Sequence, residues 1–72
     1  MRHLAEVVLQ ADEIQAIKLH DVDDFNQTEA ADKMKISQPT FNRILNSAYT
    51  KIADGLIHGK AIRLESLKDL SK

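Results

Sequence analysis

Between Lys35 and Lys51 the chain gathers hydroxyl, carboxamide and cationic side chains at spacings that suit hydrogen bonding to base pairs. Ser37, Gln38, Thr40, Asn42 and Arg43 lie at the start of an expected helix, Ser47 and Lys51 follow one and two turns later, and Lys35 stands just before it. Side chains of these types at the exposed N-terminal end of a helix can enter a DNA major groove, where Arg suits guanine and Gln or Asn suits adenine. The face formed by Gln38, Thr40, Asn42, Arg43, Ser47 and Lys51 holds donors, acceptors and positive charge, with no acid among them. A helix face that is only solvated more often mixes Glu with Lys. These residues are therefore read as DNA-binding.

Other chemistries find little footing. His3, His20 and His58 are far apart, and a chain without cysteine offers them no thiolate partners in a zinc-ligand spacing. Asp21, Asp23 and Asp24 lack the glycine and terminal Glu of a calcium loop and read as a solvated acidic turn. Ser37 has work as a helix cap, and no His–Asp pair can be placed beside it. Gly55 and Gly59 are too isolated for a phosphate loop, and Tyr49 reads as a packing residue. No enzymatic activity, metal or cofactor is expected.

Capping chemistry places the elements around this segment. Asn26 and Glu29 have the spacing of a capping box, which starts a helix at Gln27, with Phe25 and Ala30 in staple positions. Ser37 is a good N-cap for the next helix, Ile36 and Phe41 repeat the staple, and Pro39 is tolerated only in a first helical turn. The chain thus stops and restarts near Lys35 to Ser37. Ala30, Ala31 and Met34 face inward from the first helix; Phe41, Ile44, Leu45, Ala48, Ile52, Ala53 and Leu56 continue an i, i+3, i+4 stripe along the second. That long helix should fade around Leu56 to His58, with Gly59 a left-handed stop.

Upstream, Ala11 to His20 reads as a helix with Gln10 as a weak cap and Glu13 at its third position, and Asp21 to Asp24 as an acidic connection. Leu4 to Leu9 and Lys60 to Glu65 read as strands, and a pair is needed because one strand leaves its backbone unsatisfied. Pairing can close within one chain or join two into a homodimer. The tail from Ser66 to Lys72 is either a helical turn or disordered. The expected fold is a mainly α, trihelical helix-turn-helix domain over residues 1–72, its motif at about 26–46, with a long recognition helix and a short two-stranded sheet from the N- and C-terminal segments.

Composition agrees with one small intracellular domain. Seventy-two residues without cysteine make a single core with no disulfide, and no run reaches the roughly 18 apolar residues of a membrane span. A cytoplasmic location is expected. The net charge of −1 hides an asymmetry: residues 1–32 carry two basic residues against eight acids, a net of −6, whereas residues 33–63 carry six basic residues against Asp54, a net of +5. The positive half contains the expected recognition helix, although the two halves could also pair with each other.

The blocks Leu9 to Leu19 (LQADEIQAIKL), Gln27 to Met34 (QTEAADKM), Ser37 to Leu45 (SQPTFNRIL) and Gly59 to Leu64 (GKAIRL), in that order, carry a resemblance. The segment from about Val7 to Glu65 resembles a family of small uncharacterised prokaryotic proteins, domain of unknown function one-three-four, with a helix-turn-helix similar to region four of sigma factors. The resemblance implies binding to double-stranded DNA and transcription regulation. A protein–protein module on the same trihelical fold, with a partner such as the transcription machinery, is the alternative. Two departures stand out: the family pattern usually has glycine where this chain has Asp24 and Lys35. Lys in a left-handed conformation costs roughly 1 kcal/mol, so the turn is expected to be strained or differently shaped. The family's usual proline-rich, basic N-terminal extension is missing as well, so the chain is read as a short member or a trimmed one.

Overall fold

A computed structural model describes residues 5–65, in the order β1 (Glu6–Leu9), α1 (Ala11–Ile17), α2 (Gln27–Met34), α3 (Gln38–His58) and β2 (Ala61–Leu64). A π-helical turn, Lys18–Val22, extends α1 past the point where the sequence suggests an end. Its wider ring is closed by the Asp23 N–H donating to the Lys18 carbonyl at 2.8 Å, a five-residue reach. The expected tail, Ser66 to Lys72, lies outside the described residues.

Local capping sets the two helices that matter most. The Glu29 N–H donates to Asn26 Oδ1 at 2.8 Å while the Asn26 N–H donates to Glu29 Oε1 at 3.0 Å, so the box satisfies two orphan donors reciprocally. At the other end of α2, Lys35 adopts φ 60° and ψ 44°; its N–H donates to the Asp32 carbonyl and that of Ile36 to the Ala31 carbonyl, both at 3.1 Å. This pair is a Schellman stop, which needs a left-handed residue and so favours glycine there. Asp24, at φ 65°, fills a second left-handed position just before α2. Both departures from the glycine pattern thus fall on left-handed backbone. Ser37 Oγ then accepts from the Thr40 N–H at 3.3 Å and restarts the helix, with Pro39 in its first turn.

The core lies where α1, its π-helical extension and α2 meet the first half of α3. Ala16, Leu19, Ala30, Ala31, Phe41 and Leu45 are buried together, with Ile17, Phe25, Met34, Ile36 and Ile44 packed against them. Small residues at 16, 30 and 31 let the helices approach closely around Phe41, whose complete burial contributes about 1.5–3 kcal/mol. His20 stands edge-on to that ring, 6.4 Å between centroids and 75° between planes.

The strands pair in parallel, Glu6 opposite Ala61 through to Leu9 opposite Leu64, within the single chain. Such a pair is marginal alone. It is supported by α3: Gly59, at φ 64°, stops that helix, and β2 returns so closely over Gly55 that an added Cβ would sit 3.0 Å from Ile62 Cγ1.

The far end of α3 departs from the expected apolar stripe. Ala53 is exposed, and Leu56 and Ile57 are 73% and 76% exposed. The 21 residues of α3 extend about 32 Å, against about 11 Å for the seven of α1 and 12 Å for the eight of α2. Those helices are too short to cover it. Among the described residues, no helix is long and apolar enough to cross a membrane.

Candidate nucleic-acid interface

The residues expected to contact DNA separate into two groups. Lys35, Ser37, Gln38 and Arg43 are exposed, and Thr40 is half-buried beside them. Ser37 Oγ donates to Thr40 Oγ1 at 2.9 Å, and Gln38 Oε1 accepts from Thr28 Oγ1 at 3.2 Å across the α2–α3 corner. The start of α3 therefore presents an ordered set of polar groups with free hydrogen-bonding capacity.

Ser47 and Lys51, expected on the same face, are bonded instead to α1, with Ser47 exposed and Lys51 half-buried. Ser47 Oγ donates to Glu13 Oε2 at 2.6 Å, and Lys51 Nζ donates to Glu13 Oε1 and to the Val8 carbonyl, each at 2.9 Å. The Gln10 N–H adds a third bond to that carboxylate at 2.7 Å. Glu13 is only 5% exposed. Burial opposes its ionisation, but the bonds from Ser47, Gln10 and Lys51 outweigh it and hold the carboxyl below its ordinary pKa. A polar cluster thus ties α1, α3 and β1 together. The spacing of Glu13 identifies it only as the third residue of a helix, and nothing local signals its burial.

Asn42 also leaves the expected outer face. It is half-buried, and its Oδ1 is enclosed without a hydrogen-bond partner among the described residues. Further along, Tyr49 Oη donates to Asp21 Oδ2 at 2.6 Å; burial, followed by this bond and the Asp21 charge, pushes the phenol up to about 12. The acidic turn thereby anchors α3.

Ion pairing sharpens the division. Lys18 pairs with Asp23, Lys51 with Glu13, Lys60 with Asp54, and Arg63 with Glu6 and Glu65. Among the described residues, Lys33, Lys35 and Arg43 form no ion pair, and Lys33 lies 4.5 Å over the Phe25 ring. All three belong to the segment from the last turn of α2 to the second turn of α3. The opposed charges of the two halves are therefore only partly neutralised by each other. No group of three or more potential metal-ligating side chains occurs among the described residues, where His20 Nδ1 donates to the Phe25 carbonyl and His58 Nδ1 contacts Asp54 Oδ1.

Fold and site together define a mainly helical chain of three helices, closed by a parallel two-stranded sheet, with a polar, cationic corner at the α2–α3 junction. Residues 2–68 match the family described as "Protein of unknown function DUF134", and the chain belongs to that family. A UPF0251 protein of Thermoanaerobacter sp. (strain X514) is 54% identical over 65 residues, covering 90% of this chain and 58% of the relative. UPF0251 proteins of Moorella thermoacetica and Chlorobaculum tepidum are 52% and 48% identical over 65 residues each, covering 90% of this chain and 44% and 42% of those proteins. The chain spans about half the length of the curated relatives it matches. No solved structure matches it.

Proposed function

We propose that this chain binds double-stranded DNA sequence-specifically, as a regulator of transcription, with the first two turns of α3 in the major groove and α2 bracing them as a helix-turn-helix. The observation that carries the reading is the concentration of cations that form no ion pair among the described residues, Lys33, Lys35 and Arg43, around the exposed Gln38 and Ser37, while Lys18, Lys51, Lys60 and Arg63 are held in ion pairs. Unpaired cations neutralise phosphates and release their counterions, while neighbouring polar groups read base edges. The contact set is Lys35, Ser37, Gln38, Thr40 and Arg43, with Arg43 the candidate for guanine.

Fluorescence anisotropy of a labelled mixed-sequence duplex at several salt concentrations tests this reading. Affinity should fall with salt, log K declining by about 0.9 per log unit for each phosphate contact. A folded chain that binds no duplex at low salt would sink it. That outcome would favour the second reading, a protein-interaction module on the same fold, which rests on the exposed apolar Leu56 and Ile57 at the far end of α3.

A further inference from the structure

Thr28 and Gln38 are ten residues apart, on different helices, and each sits beside a locked cap. Thr28 is the second residue of α2, held by the Asn26–Glu29 box, and its β-branched side chain has little rotameric freedom. Gln38 is the first residue of α3, fixed by the Ser37 cap. Its backbone is placed, but its side chain retains several rotatable bonds and two chemically opposite ends. The only hydrogen bond the carboxamide makes among the described residues comes from Thr28 Oγ1, at 3.2 Å to Oε1.

We propose that Thr28 is a positioning residue for Gln38: its hydroxyl holds the carboxamide oxygen, presents the NH2 end outward, and makes Gln38 a reader of keto bases. This inference rests on the DNA-binding reading above. An outward NH2 donates to guanine O6 and N7 or to thymine O4; adenine offers it N7 alone, beside an N6 amino group that meets it donor to donor, and cytosine N4 offers only a donor, so the keto bases are preferred. The carboxamide held this way is not the free two-ended group that pairs with adenine. Both residues are exposed in the free chain, so water competes with the bond. Docking into a groove removes that water, and the lower local dielectric strengthens the bond when orientation matters.

The test is selection of bound sequences from a random duplex pool with the parent, Gln38→Ala, Thr28→Val and Thr28→Ser, after unchanged melting confirms that each folds. The position whose preference disappears in Gln38→Ala is the one Gln38 reads. There the parent should enrich guanine or thymine, Thr28→Val should lose that enrichment by about 3- to 10-fold, the contribution of one hydrogen bond, and Thr28→Ser should keep it. Preferences elsewhere in the site should not move. Enrichment of adenine or cytosine by the parent, an unaltered preference in Thr28→Val, or failure of Thr28→Ser to restore it would overturn the proposal while leaving DNA binding intact. A folded parent that captures no duplex would remove the DNA reading and this proposal with it, a result visible before any variant is compared.

Discussion

Arg43 and Lys51 stand about two turns apart on α3, both cationic and both beside small polar residues, yet their surroundings differ. Arg43 is exposed and makes no ion pair among the described residues, whereas Lys51 reaches Glu13 and the Val8 carbonyl. Gln38 and Ser47 differ in parallel: one bridges to an exposed Thr28, the other donates to a buried carboxylate. The same residue types therefore make a surface without ion pairs among the described residues at one end of the helix and a tie to α1 in its middle. What separates them is the neighbour. The middle of α3 crosses the first turn of α1, where Glu13 waits, whereas no acid among the described residues pairs with Arg43 near its start.

The comparison is most easily broken at Glu13. Replacing it with Ala leaves Lys51 partly buried and Ser47 without its acceptor, which should destabilise the chain by about 2–3 kcal/mol. In a chain of this size that corresponds to roughly 10–20 °C in thermal melting. The pH dependence has a defined sign: the folded carboxyl is depressed, so its contribution is complete above the unfolded value of about 4.3 and is lost as pH falls through the folded one. Glu13→Gln should lack that part of the acid limb. Melting of Glu13→Ala indistinguishable from the parent would mean that Ser47 and Lys51 are as free as Arg43.

Paired substitutions on α3 sharpen the division further. Arg43→Ala should cost about 1–3 kcal/mol of preference at one base pair while its melting stays within about 0.5 kcal/mol of the parent. Lys51→Ala should do the reverse, losing about 1–2 kcal/mol of stability and keeping the parent's sequence preference. Chemical denaturation and duplex competition on both variants measure the two effects. If Lys51→Ala loses preference without losing stability, the polar cluster belongs to the contact surface after all.

The smallest expected effect lies in the turn between α2 and α3. Lys35 holds φ 60°, a conformation that glycine adopts without steric penalty, so Lys35→Gly should stabilise by up to about 1 kcal/mol. It also removes a cation beside the open end of α3. Duplex affinity should therefore fall slightly and its salt slope flatten as stability rises. A less stable Lys35→Gly would show that the lysine side chain contributes more to the turn than the left-handed backbone costs.

Much of this fold is legible because its signals are local. Asn26 and Glu29, Ser37 and Pro39, and Gly59 each act within one helical turn of their own position, and the structure starts and stops α2 and α3 where they indicate. Phe41, Leu45 and Ala48 follow from periodicity for the same reason. The spacing of Leu56 follows the same rule, but its burial needs an element above it, and only the relative lengths of the helices decide that none is there.

The sequence by itself determined the ends of α2 and α3, the inward face around Phe41 and the family, because caps, apolar period and ordered motif blocks are written in adjacent residues. Only the tertiary structure decided which polar residues of α3 remain open. Glu13 lies 34 residues from Ser47 and 38 from Lys51, so no spacing on α3 announces the carboxylate that holds them. A charge shows its chemistry in the sequence; whether that charge is already satisfied depends on what the fold brings beside it.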